Sequence, residues 1–269
     1  MKSKISYKKL FKLYSSVISA LIGIETFILI FIDIPNDKKI IVAIINIIVF
    51  IVVFIIIAII SVTKSKIGLK LCGTDIIVKF GNLFNESGNK VISCNEYFDT
   101  LVDEHIISSK SLNGQVLNKY VDDIDNLNSR INDDIDCKNN IVGENDDKKF
   151  GKTTRYKLGT CFKYSGYIFV AFSKIDSQYK AYLDMPSYMF CLTNFWNELN
   201  RVYNGESIVV PLLGSGITRI ENCNISKQEQ LEILINSLQY SNLSFSHDVN
   251  ITIVLPESLK NEIKLFNLK

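Results

Sequence analysis

Residues 207–219, from Ser207 to Arg219, read SIVVPLLGSGITR: an apolar run that ends in Pro211 and opens into a Gly-Ser-Gly turn. A run this short fits a strand buried on both faces, as in a parallel sheet, and is equally the length of a buried helical segment. As a strand it places Gly214 and Gly216 at its carboxyl end. Open α/β sheets bind ligands there, and a residue without Cβ lets backbone N–H groups approach a phosphate. A plain tight turn uses glycines in the same way.

The chain around this run alternates strand and helix signals. Upstream, Lys66–Leu71 and Asp75–Phe80 flank Gly73-Thr74 as a hairpin, and Gly81-Asn82-Leu83-Phe84 leaves the sheet. Lys90–Cys94 is a short apolar strand followed by the polar cluster Asn95-Glu96-Tyr97-Phe98-Asp99-Thr100. Such a cluster is where an α/β fold places binding residues; Asp99 could equally cap a helix. Ser111-Leu112-Asn113-Gly114-Gln115 leads into a helical pattern running from Val116 through Leu127 to Ile131. The Asp-, Asn- and Lys-rich stretch 132–149 reads as an exposed, partly disordered insertion that ligand binding can do without. Tyr156–Tyr164 and Tyr167–Phe172 form a second hairpin about Ser165-Gly166, and Pro186 opens a helix to about Tyr203. Ser226 with Glu229 makes a capping box for a helix to Leu238; Asn250–Leu255 is the last strand, and Pro256 opens a terminal helix.

The front of the chain is different. Of 269 residues, 47% are hydrophobic, and the excess sits between Leu13 and Val62. Residues 40–62, IIVAIINIIVFIVVFIIIAIISV, carry no charge and are long enough to span a bilayer of ~30 Å. Residues 13–32 form a second candidate span containing Glu25; a signal peptide competes with it, but no small-residue cleavage site is evident. Lysines before the first span (residues 1–12) and after the second (Lys64, Lys66, Lys70) place both ends in the cytoplasm by the positive-inside rule. The expected organisation is a multi-pass hairpin in the cell membrane followed by a cytoplasmic domain, 64–269. In an antiparallel hairpin Glu25 and Asn46 share a depth, about 11 Å below the outer end at ~1.5 Å per residue, which makes them candidate partners.

A net charge of +2 with no basic stripe gives no reason to expect nucleic-acid binding. The six cysteines contain no C-x-x-C pair, and His105 and His247 are the only histidines, so no metal site is expected and reduced, buried thiols are. Ser215 sits in Gly-Ser-Gly rather than G-x-S-x-G, so it carries no nucleophile signature. The two loop glycines, Gly214 and Gly216, are expected to serve ligand contact rather than folding.

In order, Val91-Ile92-Ser93-Cys94-Asn95 and Val209-Val210-Pro211-Leu212-Leu213-Gly214-Ser215-Gly216 resemble the macro domain, an ADP-ribose-binding α/β/α sandwich with a central mixed sheet. Asn95–Thr100, Ser111–Gln115, Leu158-Gly159-Thr160 and Pro211–Arg219, behind two membrane helices, look more closely like the Thoeris antiphage effector family, ThsA. The resemblance implies an effector whose macro domain binds an ADP-ribose-derived nucleotide messenger made by a TIR-domain enzyme. Binding would drive self-assembly and membrane disruption, with no cofactor and no catalysis. It also implies a ligand site of Asn82 and Leu83 near adenine, Asn95 and Asp99, Ser111, Leu112, Asn113 and Gly114, and the phosphate loop Gly214, Ser215, Gly216, Ile217 and Thr218. Asn82 stands where the family has an acidic residue. A membrane-tethered ADP-ribosyl hydrolase is the enzymatic alternative.

Overall fold

The structure is a computed structural model that describes residues 5–221, 223–241 and 249–268; His247 lies outside them. The chain divides into two units, one of residues 2–67 and 263–269, the other essentially 68–262.

The first unit holds α1 (Tyr7–Leu29) and α2 (Lys39–Thr63), joined by a short turn that carries a 3-10 segment at Asn36–Lys38. Both helices are long and apolar enough to cross a bilayer. The first starts at Tyr7 rather than Leu13, because lysine is a good helix former and backbone hydrogen bonding does not stop where apolarity does. Asn46 Nδ2 donates to Glu25 Oε1 at 2.5 Å, and Tyr14 packs edge-on against Phe54 at 5.5 Å. The last residues return to the start of α1: Lys9 Nζ donates to the carbonyls of Asn267 (2.5 Å) and Leu268 (2.8 Å), and the Ser6 N–H to Asn267 Oδ1 (2.9 Å).

The second unit is built on a nine-stranded mixed sheet. In chain order its elements begin with β1 (Lys66–Leu71), β2 (Thr74–Phe80), β3 (Asn89–Asn95), α3 (Leu112–Lys119), α4 (Ile124–Asp133) and α5 (Ile135–Asn139). Then come β4 (Ile141–Glu144), β5 (Thr154–Tyr156), β6 (Cys161–Tyr164), β7 (Tyr167–Ile175), β8 (Ala181–Asp184) and α6 (Met185–Val202). β9 (Ile208–Pro211), β10 (Arg219–Glu221), α7 (Lys227–Gln239) and β11 (Asn250–Leu255) complete it. The sheet order is β1-β2-β11-β9-β3-β7-β8-β10, with β6 also on β7, while β4 and β5 pair separately. β2, β11, β9, β3 and β7 run parallel, so their carboxyl ends share one edge. β9 lies between β11 and β3, and all four of its residues are buried, which establishes the strand reading of the opening run.

Strand alternation divides the core. Ile92, Phe169, Val209 and Val254 pack with Val116 and Leu117 of α3 and Leu127 and Ile131 of α4. The intervening Val91, Ile168, Val210 and Ile253 are also buried, and therefore face the other side. The hairpin turns Cys72-Gly73 (φ 50° and 79°) and Ser165-Gly166 (51° and 79°) have the left-handed pairs that match strand twist. The Ser226–Glu229 capping box and the Asp184 cap ahead of Pro186 are both formed.

Four expectations are corrected. The pattern 116–131 is two helices, because Asp123 accepts from the Asn126 N–H at 2.8 Å and starts α4 afresh. The stretch 132–149 is ordered: Asp134 caps α5, β4 pairs with β5, and Lys148 is buried. Tyr156 belongs to β5, so only Cys161–Tyr164 forms the hairpin with β7. After Pro256 the chain makes a 3-10 turn, Glu257–Asn261, rather than an α-helix. Among the described cysteines none is bridged; Cys94, Cys137, Cys161 and Cys191 are buried, while Cys72 and Cys223 are exposed.

Candidate functional site

A cavity of about 1030 Å³ opens at the edge where the five parallel strands end. Gly81 to Phe84 enter it after β2, Cys94 and Asn95 from β3, Ser173 and Ile175 from β7, Pro211 to Arg219 from β9 onward, and Pro256 to Ser258 after β11. Residues of the 104–110 loop, the start of α3 and the 178–181 turn complete the wall. This is the position at which a parallel sheet leaves its strand-end backbone and loops free to bind.

Gly214 to Thr218 form one side of the cavity. Gly214 is buried with φ 79°, and a Cβ there would stand 3.1 Å from Tyr188 Cε2. Gly216 has ordinary φ, and a Cβ added to it would find nothing within 4 Å, so it is glycine without any demand from the fold. The expectation that neither glycine serves folding is therefore corrected at Gly214. Ser215 spends its N–H on the Leu212 carbonyl at 3.1 Å, whereas the N–H groups of Gly214 and Gly216 donate to no acceptor among the described residues. Ile217 is exposed and Thr218 half-buried on the same wall.

The other expected residues separate into those that face the cavity and those that build it. Asn82 Oδ1 accepts from the Phe84 N–H at 3.0 Å, which leaves Nδ2 as a donor; Leu83 beside it is buried. Asn95 lines the cavity, but its carboxamide is consumed internally: Oδ1 takes the N–H groups of Tyr97 (3.1 Å) and Asp99 (3.2 Å), and Nδ2 donates to Asp99 Oδ2 (2.8 Å). Asp99 is not in the cavity wall. It is 2% exposed and is held by Lys148 Nζ at 2.7 Å and the Lys152 N–H at 2.7 Å, so its expected ligand contact is corrected to a structural one. Ser111 Oγ caps α3 through the Gly114 N–H (3.0 Å) and donates to the Ser108 carbonyl (2.7 Å). Leu112 and Asn113 line the cavity, and Asn113 is 6% exposed with Oδ1 unpartnered. A Cβ on Gly114 would collide with the Ser108 carbonyl, so this glycine serves close backbone packing and not the ligand wall.

Several cavity residues are not marked by any motif. The rings of His105 and Tyr179 meet at a tilt with centroids 4.7 Å apart, Phe150 joins them at 5.8 and 6.0 Å, and the Phe150 N–H donates to the Tyr179 hydroxyl. Arg219, the last residue of the stretch 207–219, lines the cavity and pairs with Asp176 at 2.8 Å. The one sequence signal for this group is the polar segment Asp176 to Lys180 after an apolar strand, which resembles any surface turn. Burial sets the electrostatics around the wall: it pushes the thiol of Cys94, which lines the cavity, up to about 12 and the Lys152 amine down to about 8, the latter opposed by Asp99. Glu96 is likewise raised, chiefly by burial. Among the described residues no group of His, Cys, Asp and Glu is suited to holding a metal.

A mixed sheet with helices packed on it and a glycine loop at the end of its central parallel strand is the architecture of a macro domain. The family model described as "Thoeris protein ThsA, Macro domain" matches residues 76–256. The Thoeris protein ThsA of Bacillus amyloliquefaciens (strain Y2) is 36% identical over 252 residues, covering 92% of this chain and 84% of that protein. The chain belongs to the ThsA family. An alignment of that length reaches into the two apolar helices as well as the sheet unit. Among solved structures, the Oceanobacillus iheyensis macrodomain with ADP is similar at TM-score 0.42 and 14% identity, covering 73% of this chain and 91% of that one. The same macrodomain with MES bound gives 0.37 and 15%, covering 71% and 88%.

Proposed function

We propose that the cavity binds an ADP-ribose-derived nucleotide messenger made by a TIR-domain enzyme, and that binding drives self-assembly and membrane disruption through α1 and α2. The carrying observation is the Gly214–Thr218 loop, which lines a cavity large enough for a dinucleotide-sized ligand and whose Gly214 and Gly216 N–H groups meet no acceptor among the described residues. Asn82 Nδ2 is a donor for a base edge. In this reading α1 and α2 span the cell membrane with both termini cytoplasmic. Titration calorimetry of the detergent-solubilised full chain with ADP-ribose and its conjugates tests the reading. Saturable binding with the ligand recovered intact supports a sensor; turnover would make the protein the hydrolase instead, and the absence of binding by any of them would end the proposal.

The membrane step gives a second test. Glu25 and Asn46 are polar groups within apolar helices, and each satisfies the other. Losing one partner in hydrocarbon is costly, so the pair fixes how α1 and α2 associate. We expect Glu25→Leu to insert and bind nucleotide normally yet to lose nucleotide-triggered vesicle leakage, with Glu25→Gln retaining it. Parental leakage from Glu25→Leu would remove the pair from the membrane event.

A further inference from the structure

Three consecutive carbonyls of the glycine loop are each held from behind by a helix side chain. The Tyr188 hydroxyl of α6 donates to the Leu213 carbonyl (3.1 Å), Gln230 Nε2 of α7 to that of Gly214 (3.5 Å), and Lys227 Nζ of α7 to that of Ser215 (2.9 Å). In a trans peptide the C=O and the following N–H point in opposite directions. Holding the Ser215 carbonyl therefore turns the Gly216 N–H away from α7. The Gly216 N–H has no acceptor among the described residues, so the Lys227 bond is the hydrogen bond that this peptide makes.

We propose that Lys227 is a positioning residue for anion binding: it fixes the Ser215–Gly216 peptide with its N–H directed to the cavity, and it adds positive charge behind the loop. The proposal rests on the nucleotide reading given above. Lys227 is absent from the cavity wall and so acts through the loop rather than on the ligand. Its side chain is half-buried; burial lowers its pKa, opposed by the charge of Glu262. Tyr188 and Gln230 hold their carbonyls as neutral donors. The amine is the charged member of the set, and charge-assisted hydrogen bonds are about twice as strong as neutral ones.

The test measures ADP-ribose affinity on the solubilised full chain, with thermal unfolding of each variant as the fold control. Lys227→Met keeps the length and helix propensity and removes the donor; it is expected to weaken binding roughly tenfold to a hundredfold at an unchanged unfolding midpoint. Lys227→Arg keeps donor and charge and is expected to restore affinity to within about threefold of the parent. Parental affinity in Lys227→Met overturns the proposal, as does equal weakening in both variants, which a purely packing role would produce. If the methionine variant does not fold, Lys227→Leu, which also lacks the donor, takes its place, and parental affinity there is the overturning result. A parental protein that binds neither ADP-ribose nor its conjugates fails the nucleotide reading itself, before any variant is compared.

Discussion

Gly216→Val is expected to abolish nucleotide binding, by about a hundredfold or more, in a protein that unfolds at the parental temperature. In the proposed reading the N–H groups of Gly214 and Gly216, which meet no acceptor among the described residues, bind phosphate, and hydrogen bonds to a charged group contribute about 1.5–3 kcal/mol each. In the proposed site a branched side chain at Gly216 would crowd the phosphate oxygens, so both bonds are expected to weaken together. The fold is indifferent: nothing lies within 4 Å of the new Cβ, and the backbone there is in a region any residue adopts. Gly214→Ala is the informative contrast. There φ is 79° and Tyr188 is 3.1 Å from the added atom, so stability and binding should fall together. Calorimetry and thermal unfolding on the two variants separate the cases. Parental affinity in a folded Gly216→Val protein would take this loop out of the site.

Lys148→Met is expected to destabilise the sheet unit by about 3–5 kcal/mol, the usual cost of leaving a buried charge without its partner. The ion pair it breaks is sealed, with side-chain exposures of 3% for Lys148 and 0% for Asp99. Lys148 also donates to the Lys152 carbonyl at 2.6 Å and lies 4.1 Å over the Tyr97 ring, so one side chain ties the 145–152 turn to the segment that follows β3. Asn145 Nδ2 donates to the Tyr97 hydroxyl at 2.8 Å and adds to the same join. Because the penalty is that of an orphaned carboxylate, Asp99→Asn combined with Lys148→Met should recover part of the loss, and the double-mutant cycle measures how much. Deleting 132–149 should then unfold the domain rather than leave binding intact. A Lys148→Met protein with the parental unfolding midpoint would show that water or Lys152 replaces the ion pair.

These two variants also mark what was legible in the sequence. Local chemistry by itself determined the apolar helices, the Ser165-Gly166 hairpin turn, the Ser226–Glu229 capping box and the glycine-bearing turn after Pro211. Each depends on neighbours within a few residues, on periodicity or on left-handed φ, and these are written along the chain. Tertiary structure alone decided which polar residues face the cavity. Asn95, Asp99 and Ser111 have the look of ligand residues because they are polar and follow or precede apolar runs. The partners of Asp99, Lys148 and Lys152, lie 49 and 53 positions further along and meet it only in the folded chain. The same holds for the insertion at 132–149, whose composition reads as solvated because burial of a charge depends on a counter-charge 49 positions away in sequence. It holds again for Lys227, a surface-like lysine at the start of a helix, whose place behind the glycine loop follows from how α7 packs and from nothing in its own neighbourhood.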